Sequence, residues 1–387
     1  MLPASRDGSL PTTSASKSGS VEARSWRHFD FWLIGATFAL IGLGIAMIYS
    51  ATFDAAVPSL NGLVFRHLVL LIPGTAILAF AAITDYRLFA QMGILQWILA
   101  VLALAIVLVL GRLEFGAQRW IDVFGFFQLQ PSEPGKLLTI FALARFFSKY
   151  REHVHRLKVF LASIAIVAVP AGLTFLEPDL GTALVYGAIW AGIAFAAGCR
   201  LIYFGGIGVA ALAILPFAWQ ALPTYMRDRF TIFLNPTSDP LNQGYNIIQA
   251  SISVGSGGWF GRGYLSGTQS QLEFLRVRYA DFIFSVLAEE LGFVGAITLI
   301  ALYAFLVIRA MRAALLTREP YGRLIVIGII SMLVFQVFVN IGMNMSMLPV
   351  TGIPLPFISY GGSSLITFMA AIGVIESITM RHRPLDF

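Results

Sequence analysis

Apolar residues fill most of this chain in long unbroken blocks rather than in stripes. The stretch Ile94–Leu110 is hydrophobic on every helical face and shows no strand alternation, which marks a helix in apolar surroundings and rejects a barrel. A membrane-crossing helix needs about 20 mostly apolar residues. Ten blocks approach or reach that length, at roughly 31–50, 63–83, 91–110, 134–148, 157–176, 180–198, 201–222, 282–308, 322–345 and 358–380, the fourth being the shortest. The pattern predicts an all-α polytopic integral membrane protein of about ten transmembrane helices.

Two segments break the pattern. Ser, Thr, Pro and Gly dominate Pro3–Ser20, so residues 1–30 read as a disordered tail, and no short apolar run with a cleavage site precedes the first span. Between the seventh and eighth blocks lies a loop of about 60 residues, roughly 223–281. Structureless loops longer than about 12–15 residues are uncommon and usually functional. Gly-rich turns and apolar stretches such as Ile247–Val254 point to short amphipathic or re-entrant helices against the membrane, with a structural cap as the plainer alternative. The expected organisation is a tail at 1–30, one transmembrane domain at 31–380 and a short terminus at 381–387.

Composition sharpens this picture. Apolar residues make up 58% of the chain and charged residues 12%, against about 25% charged in an ordinary soluble domain. A soluble enzyme is excluded. The single cysteine, Cys199, excludes an intramolecular disulfide and a thiolate metal cluster, and 5 histidines leave little room for a zinc constellation.

The charges sort by side. Arg24, Arg27, Arg87, Lys149, Arg151, Arg156, Lys158, Arg200, Arg309, Arg312, Arg318, Arg323, Arg381 and Arg383 fall in alternate loops, which the positive-inside rule makes cytoplasmic, together with both termini. The opposite loops hold Glu114, Asp122, Glu133, Glu177, Asp179, Asp228, Asp239, Glu273 and Asp281. The net charge of +6 is therefore a topology signal and not a sign of nucleic-acid binding, and the chemistry candidates collect on the outer face.

Seven short runs then carry a resemblance. They are Gly116–Ile121 (Gly-Ala-Gln-Arg-Trp-Ile), Gln130–Glu133, Pro178–Thr182 (Pro-Asp-Leu-Gly-Thr), Gln243–Tyr245, Gly267–Phe274 (Gly-Thr-Gln-Ser-Gln-Leu-Glu-Phe), Asp281–Phe284 leading into Glu289–Gly292, and Leu348–Ser364. Each is weak alone; together, in this order on this topology, they are specific. The chain resembles the SEDS family (shape, elongation, division and sporulation), and its rod-shape branch more than its division branch, from the first span to the C-terminus.

The resemblance implies a glycosyltransferase of the bacterial cytoplasmic membrane that polymerises lipid II into glycan strands during cell-wall elongation. The implied partners are a class B penicillin-binding protein that crosslinks the product, other membrane proteins of the rod complex, the nascent glycan strand and membrane lipid. It makes Asp281 the catalytic residue and Glu273 functionally important. Two departures stand out: Arg276-Val277-Arg278-Tyr279-Ala280 replaces a stretch in which the family places a Pro-Glu pair, and Pro134-Gly135 replaces the usual apolar-Ala pair before Lys136.

Joining a sugar hydroxyl to an anomeric carbon that carries a lipid pyrophosphate needs a carboxylate base, cations for the leaving group and a groove for isoprenoid tails. No nucleotide-binding loop is required, and neither a P-loop nor a dinucleotide fingerprint is present. No resident metal is indicated; a divalent cation, magnesium or manganese, is left open. Asp281, where the long loop meets the eighth span, is either a helix N-cap or, as the resemblance implies, the base. Arg276 and Arg278 beside it predict a carboxylate held ionised, cations outweighing burial.

The substrate-binding candidates are Arg119 with Trp120 (a phosphate contact and a sugar stack, or interfacial anchors), Lys136 (or a structural pair with Glu133), Arg262, Arg276 and Arg278 (a pyrophosphate clamp, or solvated loop charges), Gln269 within its motif, and Ser363 in the small-residue start of the tenth span (an anion site, or close packing). Glu289 and Glu290 lie about 12 and about 13.5 Å beyond Asp281 along a helix, Glu290 on the opposite face, so both cannot line one cavity with it. Competing functions are a lipid II flippase, supported by intramembrane Glu289, Glu290 and Glu376, and a non-catalytic scaffold of the elongation complex.

Overall fold

The computed structural model describes residues 28–53, 62–114, 117–123, 127–239, 243–272, 274–275 and 277–381. The tail ahead of residue 28, Glu273, Arg276 and the terminus after Arg381 lie outside them. In chain order the helices are α1 (Phe31–Thr52), α2 (Gly62–Ile83), α3 (Tyr86–Gln91), α4 (Gly93–Leu110), α5 (Ser132–Lys149), α6 (Leu157–Leu176), α7 (Leu180–Ala197), α8 (Leu201–Ala221), α9 (Thr224–Leu234), α10 (Gln243–Ser256), α11 (Thr268–Gln271), α12 (Ile283–Leu316), α13 (Pro320–Asn344) and α14 (Gly362–Met380).

Eight of these are long and apolar enough to cross a membrane: α1, α2, α4, α6, α7, α12, α13 and α14. The other two long helices, α5 and α8, correspond to the fourth and seventh apolar blocks. Within α5 the buried Lys136 bonds the buried Glu133 at 2.8 Å one turn away. α8 buries none of its described residues and touches the bundle through ring contacts of Tyr203 and Phe204 with Phe160, at 5.1 and 5.4 Å.

α13 and α14 form the interior of the bundle, with α14 laid along α2 and α13 against α7, α12 and α5. One departure from an all-helical reading is the stretch after α4. Three short strands, β1 (Arg112–Glu114), β2 (Ala117–Val123) and β3 (Phe127–Leu129), make an antiparallel meander with Ile121 opposite Leu129. Strands this short, with one partner each at the edges, leave too little alternation to be read in sequence.

The long segment between α8 and α12 holds α9, α10 and α11, and it is tied into α12 by its backbone. α12 is interrupted at Gly292, whose φ of 64° and ψ of −162° lie in a region open to glycine alone. An unbroken helix would join Phe293 N–H to the Glu289 carbonyl and Val294 N–H to the Glu290 carbonyl. Instead Phe293 and Val294 donate to the carbonyls of Gly258 and Trp259 at 2.9 and 3.0 Å, while the Glu289 and Glu290 carbonyls accept from the N–H groups of Arg262 and Gly263 at 3.0 and 3.1 Å. All four groups released by the break are satisfied by residues 258–263. Only glycines permit so close an approach: a Cβ on Gly261 would lie 2.0 Å from the Glu290 carbonyl oxygen, and one on Gly257 would lie 1.9 Å from that of Ala288.

Candidate active site

Asp281 sits at the turn that opens α12, and its main chain is held from three sides. Asn340 and Asn344, one turn apart on α13, donate from Nδ2 to its carbonyl at 3.2 and 2.9 Å. The Asn344 Oδ1 in turn accepts from the N–H and the hydroxyl of Ser285, at 3.1 and 2.7 Å. The loop between α13 and α14 supplies the rest: Ser359 donates to the Ala280 carbonyl at 2.6 Å, and Tyr360 N–H to that of Tyr279 at 2.9 Å. The same loop brings Gly352 beside the carboxylate; a Cβ there would lie 3.9 Å from Oδ2.

The neighbours of the Asp281 carboxylate come from three further elements. Arg229, on α9, donates from Nη1 to the carbonyls of Val350 and Thr351 at 3.2 and 3.3 Å, leaving Nε and Nη2 without a partner among the described residues. Arg119, on β2, donates from Nε to the Glu177 carbonyl at 2.9 Å and from Nη2 to that of Pro178, with Nη1 3.8 Å from Asp179 Oδ2. Asp179 caps α7 through Thr182 N–H at 3.0 Å and accepts from Gln130 at 3.3 Å. The α7 terminus can reach the loop because residue 181 is glycine: a Cβ there would lie 2.8 Å from the Thr351 carbonyl oxygen.

Electrostatics follow from this packing. Asp281 is only half-buried as a residue, yet burial of its carboxyl pushes the pKa up to about 6, aided by Asp179 and opposed by Arg229 and Arg119. This corrects the expectation that neighbouring cations would outweigh burial. The arginines in play are Arg229 and Arg119, while Arg278 donates from Nε to the Ala51 carbonyl at the end of α1. At pH 7 a carboxyl of pKa about 6 is still mostly ionised. Burial also lowers the pKa of Arg229, with Arg119 pushing the same way and the two carboxylates opposing. Glu177, fully buried at the end of α6, is raised to about 8, chiefly by burial, then by Asp179, against Arg119.

The fold gathers some of the expected site residues and disperses others. Asp281 and Arg119 come together. Trp120 follows Arg119 on β2 at an irregularity in the ladder, where Arg112 pairs with Trp120 and Leu113 with Gln118, leaving Arg119 as the extra residue of a bulge. Lys136 is 1% exposed and paired to Glu133, which commits its charge within α5. Ser363 is spent as a clasp between α14 and β3, accepting from Gln130 N–H at 2.9 Å and donating to the Gln128 carbonyl at 3.1 Å.

Arg262 and Gln269 belong to a different place, the break in α12. Arg262 is exposed and reaches the Ser256 carbonyl and the Thr268 hydroxyl, both at 3.4 Å; Gln269 donates its N–H to Glu289 Oε1 at 2.9 Å. Their anchor, Glu289, is eight residues past Asp281, about 12 Å at helical rise. Glu289 and Glu290 are both fully buried, the latter accepting from Ser50 at 2.5 Å. Glu376 is buried at the far end of the bundle, where its Oε1 accepts from Asp30 N–H at 2.7 Å. Cys199 is buried, and its thiol is pushed up to about 11. Among the described residues no group of three or more His, Cys, Asp or Glu is placed to hold a metal ion.

Sequence reasoning did not single out Arg229, Asp179, Asn340 or Asn344 as site residues. A signal existed for the asparagines, since amides four apart inside an apolar span need partners. None separates Arg229 from Arg227, which serves the local Leu222 carbonyl at 2.9 Å.

Known proteins share this fold. A family model that covers FtsW, RodA and SpoVE, described as "Cell cycle protein", matches residues 31–384. The peptidoglycan glycosyltransferase MrdB of Escherichia coli (strain K12) is 37% identical over 360 residues, 93% of this chain and 95% of that protein. A chain from a structure described as the coordination of polymerization and crosslinking by a peptidoglycan synthase complex superposes with a TM-score of 0.79 at 33% identity, covering 93% of this chain and all (100%) of that one. The crystal structure of the Thermus thermophilus rod shape determining protein RodA gives a TM-score of 0.68 at 31% identity, covering 93% and 99%. The chain belongs to the FtsW/RodA/SpoVE family, the SEDS family.

Proposed function

We propose that this chain is a peptidoglycan glycosyltransferase of the bacterial cytoplasmic membrane that polymerises lipid II into glycan strands during elongation. The observation that carries the reading is the placement of a half-buried carboxylate, Asp281, within the electrostatic reach of a half-buried arginine, Arg229, that keeps two donors unspent. In the reaction the acceptor hydroxyl oxygen bonds to the anomeric carbon of the donor sugar. The bond from that carbon to the lipid pyrophosphate breaks, and the hydroxyl proton passes to the Asp281 carboxylate.

A base of pKa about 6 is ionised at neutral pH yet basic enough to accept that proton as it is released. Arg229 meets the charge that develops on the departing pyrophosphate, and its planar fork suits phosphate oxygens. Arg119 holds the turn at residues 177–179 and contributes charge at second hand.

Both termini lie in the cytoplasm on this reading and the Asp281 end faces outward, where lipid-linked sugars are assembled into wall. The working partner is a class B penicillin-binding protein that crosslinks the strand, within a rod complex of membrane proteins. The test is purified protein with lipid II and a divalent ion, alone and with its cognate penicillin-binding protein. Polymer from wild type and none from Asp281→Ala supports the assignment; equal polymer from both, or translocation of lipid II without polymer, overturns it.

A further inference from the structure

Glu177 is a charge-bearing group that the reaction above does not use. It closes α6, it is 0% exposed, and neither of its carboxyl oxygens has a hydrogen-bond partner among the described residues. A buried ionised carboxylate left unpartnered is costly, so such a group keeps its proton. Its position is the point of interest. The Glu177–Asp179 turn is what Arg119 grips: Nε bonds the carbonyl of Glu177 itself, Nη2 bonds that of Pro178, and Nη1 faces Asp179. Arg119 and Asp179 are also the groups that act on the Asp281 carboxylate.

The charges around this turn balance. Asp281 and Asp179 are offset by Arg229 and Arg119, and from α5 the buried Glu133 is offset by Lys136 at 2.8 Å. Two tyrosines complete the surroundings: Tyr186 of α7, which feels Glu177, Glu133 and Asp179, and Tyr225 of α9, which feels Arg119, Arg229 and Asp179. With Glu177 protonated the pocket is neutral. With Glu177 ionised it carries one net negative charge and Arg119 is shared between two carboxylates.

We infer that Glu177 is a positioning residue that sets the charge of the Asp281 pocket through Arg119: protonated, it lets the pocket take a pyrophosphate-bearing substrate, and ionised, it closes the pocket to that anion at alkaline pH. This rests on the glycosyltransferase reading. It adds a second limb to the pH profile. Asp281 must lose its proton for activity, at about 6, and Glu177 must keep its own, up to about 8. The rate of glycan formation is then bell-shaped between two carboxyl groups.

The test uses full-length wild type, Glu177→Gln and Glu177→Asp in nanodiscs, with two readouts. Infrared difference spectra between pH 6 and pH 10 report the proton directly, without substrate. Wild type is expected to show a protonated-carboxyl band at pH 7 that is lost through about pH 8 and is missing from Glu177→Gln; its absence from wild type at pH 7 overturns the inference. Initial rates of lipid II polymerisation report the consequence. Wild type is expected to slow about tenfold for each pH unit above 8, Glu177→Gln to hold its neutral rate into that range, and Glu177→Asp to keep an alkaline limb. A Glu177→Gln profile that falls with wild type overturns the inference while leaving the glycosyltransferase reading intact. Wild type that makes no polymer at any pH, with the infrared band present, overturns that reading, and the stated role of Glu177 in admitting pyrophosphate falls with it.

Discussion

Asn344 grips the main chain of Asp281, not its carboxylate: Nδ2 lies 2.9 Å from the Asp281 carbonyl oxygen, while Oδ1 takes both hydrogen bonds from Ser285. The Asp281 side chain is thereby aimed through its main chain by a residue of the neighbouring helix. Replacing Asn344 with Leu is expected to lower kcat for glycan polymerisation by about 10–100-fold with KM little changed, because small misplacements of a reacting group are costly. Single-turnover and steady-state rates on the same preparation check the split.

Asp281 itself titrates in an accessible range. Its folded pKa is raised to about 6 from 3.8, so the active, ionised form grows as pH rises through about 6. Wild-type rate is expected to fall about tenfold for each pH unit below that point. Asp281→Asn is expected to lose about 10²–10⁴-fold at pH 7, with the acid limb gone from whatever rate remains. Initial rates from pH 5 to pH 8 decide it.

Arg229 is predicted to act twice. Its positive charge lowers the Asp281 pKa, so Arg229→Ala is expected to shift the acid limb to higher pH as well as cutting the rate by about 10²-fold for the lost leaving-group contact. Arg229→Lys keeps the charge and loses the fork, and is expected to restore the position of the limb more fully than the rate. Comparing the two pH profiles separates the effects.

The Glu133–Lys136 pair gives a stability prediction. Side-chain exposure is 2% and 1% at the two residues, so Lys136→Met leaves an uncompensated buried charge, at a cost of about 3–5 kcal/mol. The double variant Glu133→Gln with Lys136→Met is expected to recover most of that loss. Thermal unfolding in a single detergent measures both.

What could be read in the chain and what could not divide along physical lines. The ten long helices were legible because burial in lipid demands unbroken apolar length, and length is local. Even α5, with Glu133 and Lys136 inside it, kept its place because partners three residues apart neutralise each other. The separation of Glu289 and Glu290 from Asp281 followed from helical rise alone. Arg229 was not legible, because only the packing of α9 against Val350 and Thr351 distinguishes it from Arg227. The upward shift at Asp281 was missed for the same reason: burial is a tertiary quantity, and nearby arginines in sequence do not guarantee nearby guanidiniums in space. Ser363 and Lys136 were chemically apt choices whose bonding capacity the fold spends elsewhere.

The break at Gly292 limits how the outer segment can move. If residues 258–263 lifted away from α12, the Glu289 and Glu290 carbonyls and the N–H groups of Phe293 and Val294 would all be orphaned, each at a cost of several kcal/mol in apolar surroundings. A hinged flap that swings free of the bundle is therefore the wrong mechanical picture. A pull on this segment arrives as torque on α12, with Gly292 as the fulcrum, and the first turns of that helix travel with the load. Asp281 rides on those turns, so mechanical work done on the outer segment is delivered to the position of the carboxylate.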